Sequence, residues 1–216
     1  MTEFQIASAI ENYVTSHRGV TDFPISLGQI RDEVDSTRLR LLSDLEKANK
    51  GIVNLNPYAQ NITVKVDRVG KKLVATVPYI NYMDSGKLAA LYVGGIISET
   101  SGTVPFKLVT FNRALWAQHD LYSGTVPTAV YNEGTFEMWN VAPKEIVIEA
   151  VFNKPSELRK YGYDWKKTPY PTPSSIVDKI IGKVVDRYLR YDRPVLPQPN
   201  TQSDINIQEG QQLKIT

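Results

Sequence analysis

The sequence predicts an α+β protein with long N-terminal helices, a central antiparallel β-rich domain, a long C-terminal helix and an extended C-terminal tail. Two observations carry this. Apolar residues recur at helical spacing up to Gly51 and again from Ser174 to Tyr191, and at every second position in between. The helical and strand patterns come in blocks and do not alternate. That order argues against a parallel doubly wound sheet and against the Rossmann-type crevice that goes with it.

The first helix is expected from Thr2 to Ser16. Thr2 and Gln5 have capping-box spacing, and Ile6, Ile10, Tyr13 and Val14 then share a face. Gly19 and Pro24 break the pattern. Ser26 and Gln29 open a second helix with Ile30, Val34, Leu41, Leu42, Leu45 and Ala48 at helical spacing, closed by Gly51. Its early acids, Asp32, Glu33 and Asp35, suit the positive end of the helix dipole and read as a solvated turn.

Period two follows. Ile62, Val64 and Val66, then Leu73, Ala75 and Val77, flank Arg68-Val69-Gly70-Lys71 and read as a hairpin. Further strands are expected at Leu88–Val93, Phe106–Thr110, Ala129–Asn132, Thr135–Trp139 and Glu145–Phe152, with a turn at Asn132-Glu133-Gly134 and a short helix from Asn112 to Asp120. Gly94-Gly95 reads as a bend or a tight backbone contact at a strand end, since neither phosphate-binding glycine pattern is present. Asn153 to Pro173 reads as an extended surface segment. A last helix runs from Ser174 or Ser175 to Tyr191, with Ile176, Ile180, Val184 and Tyr188 on one face, and Arg193-Pro194 ends it. The expected organisation is a helical part (1–56), a β-rich domain (57–153), a loop and helix packing back on the first helices (154–192) and a tail (193–216).

Bulk properties exclude more than they select. A chain of 216 residues buries roughly 70% of its unfolded surface, so it folds without metal or disulfide. It has no cysteine, which removes thiolate chemistry and cysteine-ligated metals. The start lacks the layout of a signal peptide, and no apolar run approaches the ~18 residues of a membrane span. A net charge of +2 lacks the basic excess of a dedicated DNA-binding domain. His17 and His119 have no metal-ligand spacing, and no catalytic constellation, cofactor motif or calcium loop is visible. No catalytic, cofactor or metal residue is nominated.

Two segments stand out as contact surfaces. Arg159, Lys160, Lys166 and Lys167 interleave with Tyr161, Tyr163 and Trp165. Cations with aromatic rings can grip a nucleic-acid strand, but Tyr, Trp and Arg are also the residues of protein interfaces. Protein contact is the favoured reading, with packing inside the chain as the plain alternative. In the tail, Ile205, Ile207, Leu213 and Ile215 recur at even spacing, the pattern of a strand added to a partner sheet, with a disordered end as the plain alternative.

Three stretches resemble virion structural proteins of short-tailed phages, especially crAss-like phages. They are Pro24-Ile25-Ser26-Leu27; Leu88-Ala-Ala-Leu-Tyr-Val-Gly-Gly with Pro105-Phe-Lys-Leu-Val-Thr-Phe; and Glu149-Ala-Val-Phe-Asn-Lys-Pro with Tyr170-Pro-Thr-Pro-Ser-Ser-Ile-Val. Their serial order spans Pro24 to Pro194. The resemblance implies a non-enzymatic head-to-tail connector: a homo-oligomeric ring of about twelve copies docked on the portal protein. It would also meet further ring or tail proteins, touch phage DNA transiently in the channel and need no cofactor or membrane. Such a subunit assembles in the host cytoplasm and resides in the virion neck or tail. The β-rich middle is larger than in the simplest adaptors, so another ring or tail position is also compatible. Outside that family, the alternatives are a nucleic-acid-binding module built on Lys154–Lys167 and a carbohydrate-active enzyme with paired carboxylates, for which the sequence nominates no pair.

Overall fold

The computed structural model describes residues 1–18, 25–70, 72–97, 102–110, 112–113 and 126–191. Over these the protein is α+β, with helices packed beside two sheets. Helix α1 (Glu3–Arg18) starts on a reciprocal cap: Gln5 N–H donates to Thr2 Oγ1 (3.2 Å) and Thr2 N–H to Gln5 Oε1 (2.9 Å). Helix α2 (Leu27–Ala48) repeats the device with Ser26 and Gln29. Helix α3 (Ser174–Tyr191) begins immediately after Pro173. The three bury one apolar cluster: Ile6, Ile10 and Val14 from α1, Ile30, Val34 and Leu41 from α2, and Ile176, Ile180 and Val184 among those from α3. Each such side chain contributes about 1.5–3 kcal/mol, far more than helix propensity supplies.

The strands are β1 (Gln60–Lys65), β2 (Asp67–Val69), β3 (Lys72–Thr76), β4 (Ala90–Ile96), β5 (Thr103–Pro105), β6 (Lys107–Leu108), β7 (Thr128–Asn132), β8 (Thr135–Trp139) and β9 (Glu145–Ala150). One sheet has the order β1-β9-β4-β5 and the other β2-β3-β8-β7-β6. All pairings are antiparallel except β6 with β7. Their facing sides share one core, in which Ile62, Val64, Ile146 and Ile148 meet Ala75, Ala129, Phe136 and Met138. A second face of α2 lies against the sheet side, where Leu42 joins Tyr58, Ala89 and Val151.

Several expectations need correction. Ile62–Val66 and Leu73–Val77 do not form a hairpin. β1 pairs with β9, and only the short continuation β2 folds back on β3. The chain changes sheets at Val66, so one run of alternating residues serves both. β4 runs past Gly94 and Gly95 to Ile96, so the glycines lie in its last pleats and not just beyond it, while the tight contact expected there is present. A Cβ on Gly95 would come within 2.9 Å of both the Phe106 ring and Pro143, so close packing is the reason for glycine. Of the expected strand Phe106–Thr110 only Lys107–Leu108 (β6) is strand; β5 precedes it, with buried Phe106 between the two.

The segment Asn153–Pro173 is not simply an extended surface stretch. Pro155–Tyr161 forms a 3-10 helix. Pro155 presets its first turn, Leu158 falls one 3-10 turn later on the buried side, and Gly162 closes it at φ 95°. The helix expected at 112–120 lies almost wholly outside the described residues, as do His119 and the whole tail.

Candidate functional site

The segment from Lys154 to Pro173 straps the helices to the sheets, and charged groups are buried beneath it. Arg31, Asp35 and Arg38 stand at i, i+4 and i+7 on α2, which puts them in a row on one face. Glu3, on the first turn of α1, faces the same row. Its Oε1 accepts from Arg31 Nε at 2.6 Å, and its Oε2 accepts from the Tyr163 hydroxyl at 3.2 Å. Asp35 Oδ1 accepts from the Tyr170 hydroxyl at 2.6 Å.

Arg38 is fully buried. It donates to the carbonyls of Phe152, Asn153 and Pro171, and its guanidinium sits 5.5 Å from the Tyr170 ring centre. One side chain thereby ties α2 to the end of β9 and to the strap. A guanidinium suits this task because its five donors are fixed in a fork and it does not lose its charge.

The electrostatics follow from burial. Desolvation pushes the Asp35 carboxyl up to about 7, against the pull of Arg38 and the Tyr170 hydrogen bond. Burial, with Glu3 beside it, drives the Tyr163 hydroxyl far above the usual phenol range. Burial also drives Tyr170 far up, and the nearby Asp35 carboxyl adds to the effect. Both phenols stay protonated and act as fixed donors. Of the acids read as a solvated helix start, Asp32 does pair at the surface with Lys154 (2.8 Å), and Glu33 meets Arg187 of α3. Asp35 is the correction: only 3% of it is exposed. A purely dipolar reading of these acids missed the i, i+4, i+7 row, which was present in the sequence.

A smaller polar clamp holds the other side of α2. Glu46 is buried and accepts the Asp84 and Ser85 N–H groups at 2.6 and 3.2 Å. The Ser43 hydroxyl donates to Asp84 (2.7 Å), and with Lys47 it holds the Asp84 carboxyl below its usual range.

The nominated contact residues divide. Tyr163 is buried in the protein's own core and presents no ring to a partner. Trp165 is half-buried, edge-on to Phe4 at 5.3 Å, with the Arg31 guanidinium 4.2 Å from its ring centre. Tyr161 is half-buried, its hydroxyl 3.5 Å from the Thr76 carbonyl. Arg159 and Lys160 are exposed. The rings that suggested base stacking are therefore engaged within the chain. Ile205, Ile207, Leu213 and Ile215 lie outside the described residues.

The larger exposed aromatic surface is one the sequence reading did not single out. Tyr79 and Tyr82 are 55% and 52% exposed. They flank Tyr131, whose ring is 6.0 Å from that of Tyr82 and whose hydroxyl accepts the Ile80 N–H at 2.9 Å. Tyr79 and Tyr82 are three apart in a segment that carries neither a sustained helical nor a sustained strand period, so no pattern signalled them.

Among the described residues, no group of three His, Asp or Glu side chains is placed to hold a metal ion. None of the described helices is long and apolar enough to cross a membrane. His17 stacks on Tyr13 at 4.2 Å, and its ring nitrogen Nδ1 lies 3.1 Å from the Tyr13 carbonyl oxygen. No known family model matches the chain, and no curated protein matches it significantly in sequence.

Proposed function

We propose that the chain is a non-enzymatic virion subunit, a head-to-tail connector protein that forms a ring on the portal and continues the DNA channel. The observation that carries the proposal is the serial order of the three phage-like stretches from Pro24 to Pro194. The described residues of those stretches fall on the opening of α2, on β4 to β6, and on the end of β9 and the start of α3.

The surface supports the same reading. A closed ring needs two unlike patches on each subunit. Large apolar side chains are exposed at Met1 and Tyr13 on the helical side and at Val69, Tyr79 and Tyr82 on the sheet side. Near-neutral charge lets many copies crowd without strong repulsion. The buried polar tie through Arg38 holds the helical and sheet parts in a fixed orientation, as a load-transmitting subunit requires.

The test is co-sedimentation with intact particles from the native source, followed by electron microscopy of the particle neck. A ring between head and tail is the expected result. A protein that stays soluble and is absent from particles overturns the proposal.

A further inference from the structure

The described ends of the two sheets are unequal. β2 and β5 are three residues long, β5 ends on Pro105, and β6 has two residues. β1 has six and lies at the end of its sheet. A long open edge is a template for another strand unless something covers it.

The phase of β1 can be read from its neighbours. The Val66 N–H donates to the Lys144 carbonyl at 3.0 Å. Bonded and non-bonded pairs alternate along an antiparallel ladder, so Gln60/Ala150, Ile62/Ile148 and Val64/Ile146 are the bonded pairs. The Phe106 N–H bond to Val93 O fixes the same phase from the far side of β4. The N–H and C=O groups of Asn61, Thr63 and Lys65 therefore point outward. Among the described residues none of these groups has a backbone partner.

A groove of about 490 Å³ runs beside the first half of this edge. Pro57, Asn61, Ile62, Tyr161, Pro169 and Pro171 are among the residues that line it. A strand laid there would gain main-chain hydrogen bonds from β1 and a wall of prolines and tyrosines for alternate side chains, the two elements of strand addition.

We propose that the outer edge of β1 receives the C-terminal segment of a second copy, with Ile205 and Ile207, or Leu213 and Ile215, turned into the groove. The inference rests on the reading of this chain as an assembling subunit and names the contact. The tail carries two short runs of strict alternation, Asp204-Ile-Asn-Ile-Gln and Gln212-Leu-Lys-Ile-Thr, separated by Glu209-Gly210-Gln211. α3 starts at the groove wall after Pro173, and its 18 residues put Tyr191 about 27 Å from that wall at about 1.5 Å each. Residues 192–204 span at most about 45 Å, enough to reach an adjoining subunit; the concentration dependence below separates that contact from a return to the chain's own groove.

The experiment is amide hydrogen exchange on the full chain at rising protein concentration. Asn61, Thr63 and Lys65 are expected to slow by about tenfold as oligomers form. The slowing should vanish in the variant Ile205→Asp/Ile207→Asp/Leu213→Asp/Ile215→Asp. In a second variant, Thr63→Pro, the outward N–H is removed at an edge position that tolerates proline; it should lower oligomer mass by sedimentation while circular dichroism stays unchanged. Slowing that does not depend on concentration means that the tail covers its own chain and overturns the proposal. Fast exchange at every concentration also overturns it. Particle binding is scored separately: a chain found in the neck with fast edge amides refutes the strand contact alone, and a chain absent from particles refutes the connector reading.

Discussion

The helical layer and the sheet sandwich solve the same burial problem differently. Between the sheets the buried side chains are aliphatic or aromatic. At the base of the helices, Glu3, Asp35 and Arg38 are buried among tyrosines. An apolar core accepts many arrangements of similar volume. A buried guanidinium aimed at three carbonyls accepts one. The sandwich supplies bulk stability, and the polar tie fixes how the helices sit on it. The cost is desolvation, visible in the raised pKa of Asp35.

Breaking the tie should have the largest effect. Arg38→Ala strands the carbonyls of Phe152, Asn153 and Pro171 and opens a cavity, so it should cost about 3–5 kcal/mol in urea unfolding. Phe136→Leu, at an equally buried position between the sheets, should cost only about 1–1.5 kcal/mol. If the two losses are equal, the contrast between the regions fails.

Tyr163→Phe comes next, at about 1–2 kcal/mol, because Glu3 loses one of its two partners while the ring still fills its place. The acid side is read by pH. The Asp35 carboxyl rises from 3.8 unfolded to about 7 folded, so its protonated form is the favoured native one. Its contribution is complete below pH 3.8, declines through the window up to about 7 and is gone above it. Asp35→Asn should flatten that part of the stability profile and raise stability at pH 8 relative to the parent. A profile unchanged by the substitution would assign the slope elsewhere. The smallest change belongs to the surface: Tyr79→Ala with Tyr82→Ala should move monomer stability by less than about 0.5 kcal/mol per site, yet weaken self-association measured by sedimentation.

Much of this fold was legible in the sequence. Capping pairs at Thr2/Gln5 and Ser26/Gln29, apolar faces at Ile6/Ile10 and Ile176/Ile180, and the Asn132-Glu133-Gly134 turn are local signals, and local structure follows them. Partners of strands are not local. Nothing in Ile62–Val66 says that it leaves its neighbour to pair with residues 145–150, because alternation specifies a face and not a companion. The strap was misread for a related reason. Its tyrosines and lysines have the composition of a surface loop, and only the row Arg31, Asp35, Arg38 on another element explains why Tyr163 and Tyr170 go inside. A polar residue with a buried partner looks, in isolation, like a polar residue in water.

The contact between Glu3 and Tyr163 spans 160 positions. Such a closure has a timing. α1 and α2 leave the ribosome early, while the third helix and the strap that complete their core are made last. At about 5–20 residues per second, the first helices wait on the order of 10–30 s with their apolar faces uncovered. The chain acquires the finished surfaces that a neighbouring copy could recognise only when its final helix has docked.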